Sequence, residues 1–182
     1  HTYLPGDFGA DALAQILFGE INPSGKLPFT YPKYDGVIEF YDRPKSVDRS
    51  KSNDFNAFDP EWEFGYGWSY STFEYSNLTV NKKEMGPIDT LKIQITVKNT
   101  SAISGKEVVQ LYVSDDVATL VPAGKKLKGF KKIAIAPHTS ETIDFFISIE
   151  DLKFADQNGT WNYEPGIFTL QIDDLKTTFR LN

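Results

Sequence analysis

Glu61 and Glu63 flank Trp62, and two aspartate pairs, Asp115-Asp116 and Asp173-Asp174, close apolar runs. Carboxylates in pairs can do general acid–base work when they are held across a reacting bond. An indole between two of them suits a sugar ring, which it could meet face on. The plainer reading is that both aspartate pairs are solvated carboxylates at hairpin ends and that Trp62 packs at a domain boundary. His1 and His138 are the only histidines, and there is no cysteine. No His/Asp/Glu spacing suits a metal, no Ser-His-Asp set is readable and no glycine-rich phosphate loop follows a strand. No cofactor is expected.

Composition narrows the partners. Of the 182 residues, 40% are hydrophobic and 14% aromatic, enough for a packed core and unlike a disordered chain. The formal net charge of −6 argues against nucleic acid, which needs Lys and Arg gathered on one face. Lys125, Lys126, Lys128, Lys131 and Lys132 read instead as a solvated strand edge. No apolar run reaches membrane-spanning length, so no membrane partner is expected. The chain starts His1-Thr2-Tyr3, with neither Met nor a signal-like segment, so the expectation is a processed chain. Asn77-Leu78-Thr79, Asn99-Thr100-Ser101 and Asn158-Gly159-Thr160 are glycosylation sequons, which point to secretion only for a eukaryotic source; Pro23 excludes Asn22, and a secreted or periplasmic location is expected.

Three textures follow one another along the chain. In residues 1–32, Asp7 is placed to cap a helix, Ala12, Leu13, Ile16 and Leu17 form its apolar stripe, and Gly19 can end it in the left-handed conformation. The run Leu27 to Tyr31 reads as a Pro-flanked strand. A short helix and one strand are marginal alone, so their apolar faces need partners. Residues 33–68 read as an inter-domain linker. Asp35, Glu39, Asp42, Arg43, Lys45, Asp48, Arg49, Lys51, Asp54 and Asp59 make it polar, but Tyr34, Phe40, Tyr41, Phe55 and Phe58 suggest that it lies across another domain. Residues 69–182 carry about seven strands: Phe73 to Val80, Leu91 to Val97, Val108 to Val113, Lys128 to Ile135, Ile143 to Ile149, Phe168 to Ile172, and Phe179 with Leu181. Met85-Gly86-Pro87, Ser104-Gly105, Pro137-His138, Asn158-Gly159 and Pro165-Gly166 are the turns. This pattern predicts an immunoglobulin-like or fibronectin type III-like β-sandwich.

Several motifs carry a resemblance. Pro5-Gly6 with Gly9 to Gly19, then Asn22-Pro23-Ser24-Gly25-Lys26-Leu27-Pro28-Phe29-Thr30, resemble the end of the α/β sandwich domain of glycoside hydrolase family 3. Phe64-Gly65-Tyr66-Gly67-Trp68-Ser69-Tyr70-Ser71, Glu107 to Val113 and Leu127 to Lys132 resemble its C-terminal fibronectin type III-like domain. Trp68 departs from the family, which more often has Leu there. The resemblance covers nearly the whole chain, so residues 1–32 are expected to be the remnant of the α/β domain.

The resemblance implies a non-catalytic part of a β-glucosidase-like retaining enzyme. The family's nucleophile and acid/base would both lie before His1, so no catalytic residue is assigned here. The implied partners are the parent's N-terminal catalytic domains, with a β-linked oligosaccharide or glycoside as the parent's substrate. Asn22, Pro23, Ser24, Gly25, Leu27, Pro28, Phe64, Gly65, Gly67, Ser69 and Tyr70 are expected to be architectural. Gly25, Gly65 and Gly67 are expected to need positive φ or close approach. The alternative is a stand-alone carbohydrate- or protein-binding module, for which Phe146, Tyr112 and Trp161 could form an outward aromatic platform.

Overall fold

A computed structural model describes residues 1–41, 43 and 59–182. Asp42, Lys45, Asp48, Arg49, Lys51, Asp54, Phe55 and Phe58 of the charged connection lie outside the described residues.

Alternating apolar residues build two facing sheets. The first has three antiparallel strands in the order β1 (Phe73–Val80), β3 (Leu91–Asn99), β6 (Ser140–Ile147). The second has five, ordered β2 (Glu84–Met85), β10 (Leu175–Leu181), β9 (Gly166–Ile172), β4 (Gly105–Asp115), β5 (Lys126–Ile135). β2 runs parallel to β10, pairing Met85 with Leu181, and the other pairings are antiparallel. Alternate positions point inward: Leu91, Ile93, Ile95 and Val97 from β3 meet Val109, Leu111 and Val113 from β4, with Phe168, Leu170 and Ile172 from β9. The mainly β, fibronectin type III-like fold predicted from the alternation is the fold observed. β5 is an edge strand, as its lysines suggested.

Three elements were not anticipated. Met85 is not a turn residue but fully buried in the core. Ile149 does not extend β6; it opens the short helix α2 (Ile149–Leu152), where the Asp151 carboxylate accepts the Ser148 N–H at 2.8 Å and its hydroxyl at 2.9 Å. A ribbon of β7 (Phe154–Ala155) and β8 (Trp161–Asn162) follows it.

The N-terminal helix α1 spans Gly9–Leu17. Asp7 does not cap it. The N-cap is Phe8, without a side-chain hydrogen bond, and the Gly6 carbonyl, in a turn at φ +65°, accepts the Gly9 N–H. The other end is as expected. Gly19 takes φ +79°, its N–H reaches the Ile16 carbonyl and that of Glu20 reaches Gln15, a Schellman closure. Leu27 to Tyr31 is not a strand of either sheet. It pairs locally with 61–66 through one antiparallel bridge, Tyr31 to Trp62, and through bonds from Leu27 N–H to Tyr66 O and from Gly65 N–H to Leu27 O. No described helix is long and apolar enough to cross a membrane.

Candidate functional site

The sandwich core begins at Met85; among the described residues before Ser71 only Gly9 is buried. What holds the N-terminal segments to the sandwich is a polar seam, and most of the residues singled out as architectural converge on it.

Asn22 is its hub. The side-chain amide donates to Ser71 Oγ at 2.8 Å and to the Ser104 carbonyl at 3.1 Å, while Oδ1 accepts from Ser69 Oγ at 2.9 Å and from the Tyr70 N–H at 2.8 Å. An amide has two donors and an acceptor oxygen with two lone pairs, and Asn22 engages all of them. Ser71 passes the bond on to the Ile103 carbonyl, and the Tyr70 hydroxyl donates to the last turn of α1 at the Ile16 carbonyl, 2.6 Å away. Thus helix α1, the Asn22 turn, residues 69–71 and the β3–β4 connection are tied at one point.

A buried charge forms the second tie. Glu107 sits at a core-phase position of β4 and is only 6% exposed. Its Oε1 receives Lys26 Nζ at 3.0 Å and the Tyr75 hydroxyl at 3.0 Å. Burial, reinforced by the Glu107 charge, pushes the Tyr75 hydroxyl far above the usual phenol range, so it stays a donor.

The third tie is Gly65. It takes φ +83°, and a Cβ there would strike the Gln110 carboxamide and lie 2.7 Å from the Tyr112 hydroxyl. With no side chain, its carbonyl instead accepts Gln110 Nε2 at 3.0 Å, and Tyr112 closes the chain by donating to Gln110 Oε1 at 2.7 Å. Burial, ahead of Tyr41 and Glu63, drives the Tyr112 hydroxyl well up as well. Gly67 is likewise required for close approach, since a Cβ would run into the Gly25 carbonyl. Gly25 itself is a correction: its φ is not left-handed and a Cβ there meets nothing within 4 Å. Its role is to offer the carbonyl against which Gly67 packs.

The described parts of the connection lie against the outer face of the five-stranded sheet. The Tyr41 ring packs on Phe64, its hydroxyl accepts the Leu127 N–H at 2.6 Å, and the Arg43 carbonyl accepts the Gly124 N–H at 2.9 Å. Pro23, Ser24, Leu27 and Phe64 are half-buried along the seam, whereas Pro28 is exposed. Trp68 lies outside, 75% exposed, its indole N–H bonded to the Tyr66 hydroxyl.

Other candidates separate. Tyr112 is buried and faces the connection, Phe146 is exposed on the three-stranded sheet and Trp161 on the β7–β8 ribbon, so the three form no common platform. Asn99 cannot carry a glycan. It is fully buried, donating to the Ile103 and Ile135 carbonyls and accepting from Ser101. Asn77 and Asn158 are exposed. Asp116, Asp173 and Asp174 are exposed, and Asp115 is half-buried. Glu61, Trp62 and Glu63 rim a cleft beside the seam.

Comparison with known proteins gives these parts a family. The glycosyl hydrolase family 3 C-terminal domain matches residues 1–70, and the fibronectin type III-like domain matches residues 107–175. A periplasmic β-glucosidase of Salmonella typhimurium is 36% identical over 94% of this chain and 24% of its own length. A β-xylosidase of Formosa agariphila is 34% identical over 97% of this chain and 26% of its own. Among solved structures, a β-glucosidase from Erythrobacter marinus superposes with a TM-score of 0.87 at 31% identity, over 96% of this chain and 24% of that one. That from Listeria innocua, in complex with glucose, gives 0.87 at 28% identity, over 100% and 27%. The chain thus spans about a quarter of the length of the curated relatives it matches. An N-terminal segment matching one module, clamped by a polar seam to a sandwich matching the other, identifies the chain as a member of glycoside hydrolase family 3 carrying that family's C-terminal portion.

Proposed function

We propose that this chain is the non-catalytic, structural C-terminal portion of a β-glucosidase-like enzyme, and that the parent hydrolyses terminal β-glycosides with retention. Its task is to complete the α/β domain and to brace it with the sandwich. One observation carries the reading: the described residues among the first 70 hold almost no buried side chain. Leu4 is 99% exposed, Phe8 80% and Phe18 84%, and the α1 stripe of Leu13 and Leu17 lies open beside them. Apolar surface of this extent marks an interface. The seam fixes its orientation, so that the sandwich presents a preset face to the parent's catalytic domains. A free-standing binding module would cover that face itself.

The relatives named above support β-glucosides and β-xylosides as the substrate class, and the Salmonella protein's periplasmic label supports a secreted or periplasmic location. The test is an assay of residues 1–182 alone on aryl β-glucoside and β-xyloside. The expected rate equals the blank; robust turnover would show that a catalytic carboxylate pair lies within these residues.

A further inference from the structure

An open cleft of about 750 Å³ lies between residues 59–66 and the outer face of the five-stranded sheet. One wall carries Trp62, 39% exposed, its ring 20° from parallel with that of Tyr66 at a centroid distance of 6.3 Å. The others carry Glu61, Gln110, Gln171, Asp173 and Asp174. The neighbouring acids are already used: Asp59 pairs with Lys33, Glu63 with Lys125 and Glu107 with Lys26. The carboxylates of Glu61, Asp173 and Asp174 make no hydrogen bond among the described residues. Two properties of the cleft therefore meet. The indole offers a flat apolar surface, and the rim offers hydrogen-bond acceptors.

A ligand that fits both has a C–H face and a periphery of O–H donors. Anions are repelled by the rim, and no group of described acidic or histidine residues is placed to hold a metal ion. We propose that this cleft is a binding subsite for a neutral β-linked glycan, with Trp62 as the stacking platform and Glu61, Asp173 and Asp174 as acceptors for its hydroxyls. The choice of glycan rests on the family reading above.

The test is native affinity electrophoresis of residues 1–182 through gels containing mixed-linkage β-glucan, arabinoxylan or cationic chitosan. Expected is retardation by a neutral β-glycan. Trp62→Ala should weaken it about tenfold, as loss of one aromatic contact does. Because Trp62 also bridges Tyr31, a second variant, Asp173→Asn with Asp174→Asn, probes the rim without touching that pairing and should weaken retardation severalfold. Trp161→Ala, on the separate ribbon, should change nothing. No retardation by either neutral glycan overturns the proposal, as does retardation that survives both cleft variants or retardation by chitosan alone. Binding is read here without catalysis, so failure leaves the structural role standing, and turnover by the isolated chain would leave the cleft standing.

Discussion

Glu107 shows what a single residue decides. A carboxylate at a core position is tolerated only with partners, because an unpaired buried charge is costly. Here one oxygen takes both, the ammonium of Lys26 and the phenol of Tyr75. The two are not equivalent. Tyr75→Phe removes one donor and leaves the ion pair, which should cost about 0.5–1.5 kcal/mol. Glu107→Ala leaves the Tyr75 hydroxyl and the half-buried Lys26 without an acceptor and opens a gap between sheet and seam, so about 2–3 kcal/mol is expected. Denaturant titration at unchanged slope should rank the variants in that order; equal midpoints would mean that Glu107 is not the common acceptor. The position was readable beforehand. Gly105, Glu107, Val109 and Leu111 share one phase of β4, and a glutamate in that phase signals a buried partner. The identity of the partner was not readable, since Lys26 lies far off in sequence.

At the scale of elements, the seam should open before the sandwich does. Asn22→Ala removes four hydrogen bonds that join residues 1–32 to residues 69–104, and none of the sandwich core. At about 0.5–1.5 kcal/mol each, and less than additive within one hub, the expected loss is about 2 kcal/mol. Hydrogen exchange should then be about thirtyfold faster in α1, while amides of β3 and β4 exchange as before. Equal loss in both would mean that the segment and the sandwich unfold as one unit. Elements were legible in proportion to how local their signal is. β3, β6 and β9 announced themselves by alternation, β4 by a more fully apolar run, and Gly19 by its place after the helix. β2 did not, because two residues cannot alternate and the pairing of Met85 with Leu181 spans most of the sandwich. α2 was hidden because Ile149 keeps the phase of β6, yet Ser148 followed three residues later by Asp151 was a capping signal available to be read. The Asn22 motif was recognisable as architecture, but its geometry depends on Ser71 and Ser104, which only the folded chain brings close.

For the whole molecule the balance of charge sets an acid limit. Asp144 is held below the ordinary carboxylate range by Lys92 and Gln94, Asp89 by Lys82 and the Gly86 N–H, Asp156 chiefly by the Thr160 N–H, and Glu164 by Thr119. All four favour the charged form in the folded state. Each therefore contributes stability that is present above the unfolded carboxylate pKa, near 4, and is lost as pH falls through the lower folded value. Between those limits the unfolded chain binds more protons, so stability must decrease on acidification. Glu39, raised by burial, has the opposite sign and offsets a little of this. The groups are half-buried at the surface and reached by solvent, so each contribution is small and screened by salt. The expected result is a thermal midpoint that holds from neutral pH to about pH 5 and falls steadily below about pH 4. Asp144→Asn, which keeps an acceptor for Gln94 but drops the charge facing Lys92, should lower the midpoint at neutral pH and flatten the fall. A midpoint that rises on acidification, or an Asp144→Asn profile parallel to that of the parent chain, would mean that these surface pairs do not govern the acid limit.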